Sequence, residues 1–196
     1  MNTEDTIKKL FEESIKTKEQ FIGRYTHLIK EVAELMAASF RKGNKLLLLG
    51  NGGSATDASH IAAEFVNRFH LDRPPLPAIA LNTDMAVMTS ISNDYNFNLI
   101  FSRQLEALAR DGDVIIAIST SGNSPNVLEA LVMAKKLGIP TIGFAGGSGG
   151  KLVSHVDYAF IVPSAVTPRI QEVHITLGHV ICQIVEEMLF GEESQR

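Results

Sequence analysis

The sequence predicts a single α/β domain built on a mostly parallel sheet with helices on both faces, and three observations carry that reading. Short apolar runs alternate with helical segments from Lys45 onwards, the rhythm of strand, crossover helix and parallel strand. A chain of 196 residues with 45% apolar and 20% charged residues can bury one sizeable core and leaves little for a second. No internal repeat of fixed period and no low-complexity linker divides it. The expected boundaries are one domain over residues 1–196, with N-terminal helices over 1–42 and an α/β core over 43–196 that includes a C-terminal helix.

In chain order, residues 3–41 read as two helices broken near Gly23. Their apolar positions, Ile7, Leu10, Phe11 and Ile15, then Leu28, Val32, Leu35 and Met36, fall at helical spacing, so each should pack by one face. The strand candidates are 45–49, 78–81, 114–118, 141–144 and 158–162. Helices should open near Ser54, Asn96, Ser124 and Thr167. Proline follows a capping hydroxyl in Ser124-Pro125 and Thr167-Pro168, the order of N-cap and first helical residue. The last helix runs from Pro168 to about Phe190 and ends at Gly191.

A net charge of -4 and the lack of any Lys/Arg run argue against direct nucleic-acid binding, which needs a concentrated basic face. The first 18 residues mix acids, lysines and apolar residues, without the apolar core of a signal peptide or a span of bilayer length. A cytoplasmic protein with no membrane partner is expected. Cys182 is the sole cysteine, so no internal disulfide and no cysteine-rich zinc cluster can form; among Val180, Ile181, Ile184 and Val185 it reads as a buried thiol.

Two loops at strand ends carry the binding chemistry. Gly50-Asn51-Gly52-Gly53-Ser54-Ala55 follows a strand and opens a helix, in loose agreement with a dinucleotide-binding pattern. That pattern also wants an acidic residue at the end of the next strand; Asp72 precedes the strand and Asp84 lies too far along. Contact with a sugar, or close backbone approach, fits the loop better. In the second loop, Ser119-Thr120-Ser121-Gly122-Asn123-Ser124, hydroxyls and backbone N–H groups meet the positive end of a helix, which suits an anion. No Gly-Lys-Ser/Thr closes it, so it is not a nucleotide-hydrolysing phosphate loop.

His60 and Glu64 stand four residues apart and leave one face of the helix, in a polar stripe with Asp57 and Asn67. A polar stripe is often merely solvated, but this one starts close to a glycine loop at the ligand-collecting end of a sheet. Gln171 and His179, eight residues apart on the last helix, are offset by roughly 12 Å and about 80° on an ideal helix. Convergence on one ion is therefore awkward unless the first turn loosens or a neighbouring chain supplies a ligand. Histidine, carboxylate and a neutral oxygen suit zinc, and accommodate other divalent ions. His174 points away from His179 and reads as structural, while His27, His70 and His155 have no partner pattern.

Together, Asn51-Gly52-Gly53-Ser54, His60-Ile61-Ala62-Ala63-Glu64, Asn93-Asp94, the Ser119–Ser124 loop and Arg169-Ile170-Gln171-Glu172 followed by His179 closely resemble the phosphoheptose isomerases of the sugar isomerase (SIS) superfamily. The resemblance spans essentially the whole chain. It implies an SIS-type three-layer α/β sandwich with an N-terminal helical extension, and a homotetramer with active sites at subunit interfaces. It implies conversion of sedoheptulose 7-phosphate to D-glycero-D-manno-heptose 7-phosphate, in the supply of heptoses for bacterial surface glycans such as lipopolysaccharide.

Carried over by position, His60, Glu64, Gln171 and His179 correspond to ligands of one zinc ion per site, with Glu64 and His179 also the acid/base pair. Ser54, Ser119, Thr120, Ser121 and Ser124 correspond to phosphate contacts; Asn51, Gly52, Gly53, Glu64, Asn93, Asp94 and Gln171 lie near the sugar. The superfamily also includes noncatalytic members that bind a sugar phosphate or the bacterial replication initiator, and the stretch Arg73 to Asp84 resembles the latter. That branch lacks the glutamate and the second histidine, which this chain retains. Moving a carbonyl between C2 and C1 through an enediolate needs a proton carrier facing both carbons, and Glu64 and His179 can fill the base and acid roles in either order.

Overall fold

The computed structural model describes residues 2–191; residue 1 and residues 192–196, which the expected boundaries include, lie outside the described residues. The N-terminal segment is one helix, α1 (Thr3–Arg41), rather than two broken at Gly23. Asn2 caps it by accepting from the Asp5 N–H, and Glu4 and Asp5 sit in its first turn, where the helix dipole favours acids. A helical glycine costs about 1 kcal/mol against alanine. Burial of Phe21, Tyr25 and Ile29 on either side of Gly23 offsets it. Packing by one face holds only for the second half of α1. Ile7, Leu10, Phe11 and Ile15 are between 46% and 69% exposed.

Five strands follow: β1 (Leu46–Gly50), β2 (Ala78–Ala80), β3 (Val114–Ile118), β4 (Thr141–Gly146) and β5 (Tyr158–Val162). Each pairs in parallel, in the order β2-β1-β3-β4-β5. β1, β3 and β4 are buried at every position, as near-continuous apolar runs with cover on both faces require.

The covering helices are α2 (Gly53–Val66), α3 (Met85–Asp94), α4 (Ser102–Leu108), α5 (Pro125–Leu137) and α6 (Thr167–Phe190). On one face Leu46, Leu48, Ile116 and Phe144 pack with residues of α1, α2 and α6. On the other, Leu47, Leu49, Ile115 and Ala117 pack with α4 and α5, giving three layers. α6 is long and apolar enough to cross a membrane by length and composition, but Val173, Leu177, Ile181 and Val185 are spent in the core.

Several local expectations need correction. α3 was not expected; Asp84 caps it by accepting from Val87 N–H, and none of its residues is buried. Near Asn96 the chain makes only a 3-10 turn, Phe97–Leu99, and α4 begins later. Ser124 takes the N-cap position of α5 but its side chain makes no capping bond, and at α6 the N-cap is Val166, one residue before the expected Thr167.

From β1 the chain goes to β2 on one side, then returns to β3 on the other. The crevice above the ends of β1 and β3 is thus the topological switch point, where open α/β sheets collect ligands. Both candidate loops leave the sheet there.

Candidate active site

The two loops face each other across the switch point and are tied together. Asn51 Nδ2 donates to Asn126 Oδ1, and Asn126 Nδ2 donates to Asn51 Oδ1, both at 2.8 Å. Asn126, in the first turn of α5, is 1% exposed; it was not among the candidates. Gly52 and Gly53 are exposed and Ser54 is buried. The carboxamide of Gln171, from the start of α6, rests over Gly53 at the start of α2, where a Cβ would displace it.

In the second loop the buried Ser119 and half-buried Ser124 bring their Oγ atoms to 3.1 Å. Ser124 spends its side chain on Ser119 rather than on capping; Pro125 has no N–H and the Val127 and Leu128 N–H groups donate to the Ser124 carbonyl, so among the described residues of the first turn of α5 the Asn126 N–H is the donor left for another acceptor. Ser121 Oγ accepts the Asn123 N–H at 3.2 Å, and Thr120 carbonyl accepts the Gly146 N–H at 3.0 Å. Thr120 and Ser121 line a cleft of about 270 Å³ with Ser148, Ser164 and Thr167. A larger cavity of about 430 Å³ opens at the opposite end of the strands, beside Pro140, Thr141 and Tyr158 where β4 and β5 begin, and holds none of the candidates.

His60, Glu64 and His179 converge within one chain. His60 Nε2 lies 3.0 Å from Glu64 Oε1 and 3.4 Å from His179 Nε2. Their ligand atoms lie within 4.8 Å of one another. Helical spacing aligns the first two, and a glycine delivers the third: a Cβ at Gly178 would run into Ile61, so its absence lets α6 approach α2. Burial first, then the charge of His60, holds the His179 imidazole below its ordinary pKa, with Glu64 pulling the other way. A neutral ring is the form that binds metal.

Two imidazole nitrogens and a carboxylate oxygen in such a cluster fit a divalent ion such as zinc and leave room for a further ligand. For these three residues no ligand from a neighbouring chain is needed. The helical offset sets apart only Gln171, whose amide rests over Gly53. Asn93 and Asp94, exposed at the end of α3, hydrogen bond to each other at 2.9 Å; among the described residues no hydrogen bond joins them to the other candidates.

His174 and Cys182 are buried as read from the sequence. His174 is fully buried, its Nε2 3.2 Å from the Ala145 carbonyl, and burial lowers its pKa to about 4 despite that bond. Cys182 is buried and its thiol is pushed up by that burial, which removes it as a nucleophile. Asp57, one turn before His60, is raised to about 6, by burial first and with His60 opposing; its Oδ2 is buried without a partner. Asp84 caps α3, and Asn82 at the end of β2 bonds the Ala55 carbonyl and Ser59 Oγ. Neither supplies the ribose-binding acid of a dinucleotide site.

Residues 9–146 match the family described as SIS domain. A phosphoheptose isomerase of Thermodesulfovibrio yellowstonii is 60% identical over 190 residues, 97% of this chain and 94% of that relative. One from Aquifex aeolicus is 55% identical over 185 residues, 94% of this chain and 97% of that relative. Among solved structures, phosphoheptose isomerase from Neisseria gonorrhoeae superimposes with a TM-score of 0.89 at 39% identity, covering 95% of this chain and 100% of that one. The Francisella tularensis enzyme gives a TM-score of 0.91 at 37% identity, with the same coverage.

Proposed function

The chain belongs to the SIS domain family and, within it, to the phosphoheptose isomerases, and on that premise we propose that it converts sedoheptulose 7-phosphate to D-glycero-D-manno-heptose 7-phosphate through an enediolate. The observation that carries this reading is the convergence of His60, Glu64 and His179 beside two loops at the sheet's switch point. The product feeds the heptoses of bacterial surface glycans, lipopolysaccharide included.

Ser119, Thr120, Ser121 and Ser124, with Ser54 and the Asn126 N–H at the start of α5, hold the phosphate; neutral hydroxyls and amides do this work instead of lysines. Anchoring the phosphate positions the reacting carbons with binding energy remote from the chemistry. Asn51, Gly52, Gly53, Asn93, Asp94 and Gln171 line the sugar. Glu64 and His179 move the proton between C2 and C1 and between the oxygens, and either order of base and acid fits the geometry. One zinc ion per site, held by His60, Glu64, Gln171 and His179, supplies a Lewis acid for the oxygens being polarised. Nothing favours the noncatalytic alternative in a chain that retains Glu64 and His179.

The active assembly is a homotetramer with sites at subunit boundaries, in the cytoplasm. The exposed apolar positions Ile7, Leu10, Phe11 and Ile15 of α1 support association. The test is an assay with sedoheptulose 7-phosphate, with metal content and oligomeric mass measured on the same sample. Turnover by a metal-containing tetramer is expected; a metal-loaded protein inert toward this substrate refutes the assignment.

A further inference from the structure

The residues assigned above touch substrate or ion, but nothing among them explains what fixes α2 and α6 relative to each other at the triad. Between Val66, where α2 ends, and β2 the chain turns back through Phe69, His70 and Leu71. A helix end leaves carbonyls in need of partners, and here Arg73 bonds two of them, of which the Phe65 carbonyl also accepts the Leu76 N–H at 3.0 Å. Its Nη2 donates to the Glu64 carbonyl at 2.9 Å and its Nη1 to the Phe65 carbonyl at 2.9 Å and the Pro74 carbonyl at 3.0 Å. Its Nε donates to Glu186 Oε1 at 2.8 Å.

Glu186 belongs to α6, seven residues beyond His179, and its side chain is 1% exposed, as is that of Arg73. Its carboxylate also accepts three consecutive backbone N–H groups: Phe69 at 3.1 Å, His70 at 2.7 Å and Leu71 at 2.9 Å. The same turn lays the Phe69 ring against the His179 imidazole, centroids 5.5 Å apart. A buried pair of this kind recovers its desolvation cost only when every donor and acceptor is met, and it contributes geometric definition more than stability. Here it joins the helix bearing His60 and Glu64 to the helix bearing His179.

We infer that Arg73 and Glu186 are positioning residues for the metal-binding group: they fix the end of α2 and the Phe69–Leu71 turn against α6, so that His179 meets His60 and Glu64. The inference rests on the metal reading above. It assigns the pair no contact with substrate, and the phosphate loop stands on a different strand.

The test uses the full-length apoprotein titrated with Co(II), comparing the parent with Glu186→Gln and Arg73→Lys. Glu186→Gln keeps shape while removing charge and one acceptor. Expected for a variant with parental circular dichroism is at least a tenfold loss of Co(II) affinity with an altered ligand-field spectrum. With the metal-loaded variant, kcat should fall while KM for the sugar phosphate stays within about twofold. Arg73→Lys, which keeps the charge, should recover part of the affinity. If Glu186→Gln does not fold, Phe69→Leu serves, and the same spectral change is expected. A folded variant whose Co(II) affinity and spectrum match the parent overturns the inference alone, whereas a parent that takes up no Co(II) overturns the metal reading and the inference with it.

Discussion

The carboxamides of Asn51 and Asn126 hydrogen bond to each other in both directions, each Nδ2 donating to the other's Oδ1 at 2.8 Å. This pair links the glycine loop after β1 to the first turn of the helix after β3. It therefore couples the loop proposed to face the sugar to the loop proposed to hold the phosphate.

Asn126→Asp replaces the donated amide with an acceptor, so Asn51 Oδ1 loses its partner and meets an oxygen. A buried group left unsatisfied costs about 1 to 3 kcal/mol. Urea denaturation of the variant should show a loss of that order, and KM for the sugar phosphate should rise. A variant with parental stability and KM removes the pair from any role in joining the loops.

Ser124→Ala should weaken binding of the phosphorylated sugar by on the order of 1 kcal/mol, more if the hydroxyl meets a charged oxygen. Calorimetry with the phosphorylated and unphosphorylated sugars separates the cases. Equal losses for both would take phosphate away from Ser124.

His174 makes stability depend on pH. Its folded pKa of about 4 lies below the ordinary value of 6.5, so between those values the unfolded chain binds the proton and the folded one does not. Its contribution is complete above pH 6.5 and is lost as pH falls toward 4. The full effect is on the order of 3 kcal/mol. Denaturation midpoints at pH 7.5 and 5 should differ more in the parent than in His174→Gln, and identical pH dependence in the two would contradict the assignment.

How much of this was legible in the sequence follows from the range of each interaction. The strands were, since parallel strands covered on both faces are written as local apolar runs such as Val114–Ile118. So were His60 and Glu64, because helical spacing alone aligns them. α3 was missed because it buries no residue and its Val, Thr, Ser, Ile and Asn residues have weak helical character; the one signal was Asp84 at its cap. No break occurs at Gly23, since packing on either side outweighs the local preference. Pairings across the fold leave no local trace: Asn51 and Asn126 are separated by 75 residues, and Arg73 and Glu186 by 113. The meeting of His179 with His60 was legible through the family resemblance and not from local spacing, because the glycine that permits it acts through Ile61 on another helix.

The central claim is that the His60, Glu64 and His179 cluster moves a carbon-bound proton of a phosphosugar, and the most direct measurement is substrate hydrogen exchange in deuterated solvent, followed by NMR. The metal-loaded parent should form the aldose and acquire deuterium at C1 or C2. Glu64→Gln should bind sedoheptulose 7-phosphate yet neither isomerise it nor exchange its carbon-bound protons. Exchange by Glu64→Gln at close to the parental rate would contradict the account, since the proton would then be carried by some other group.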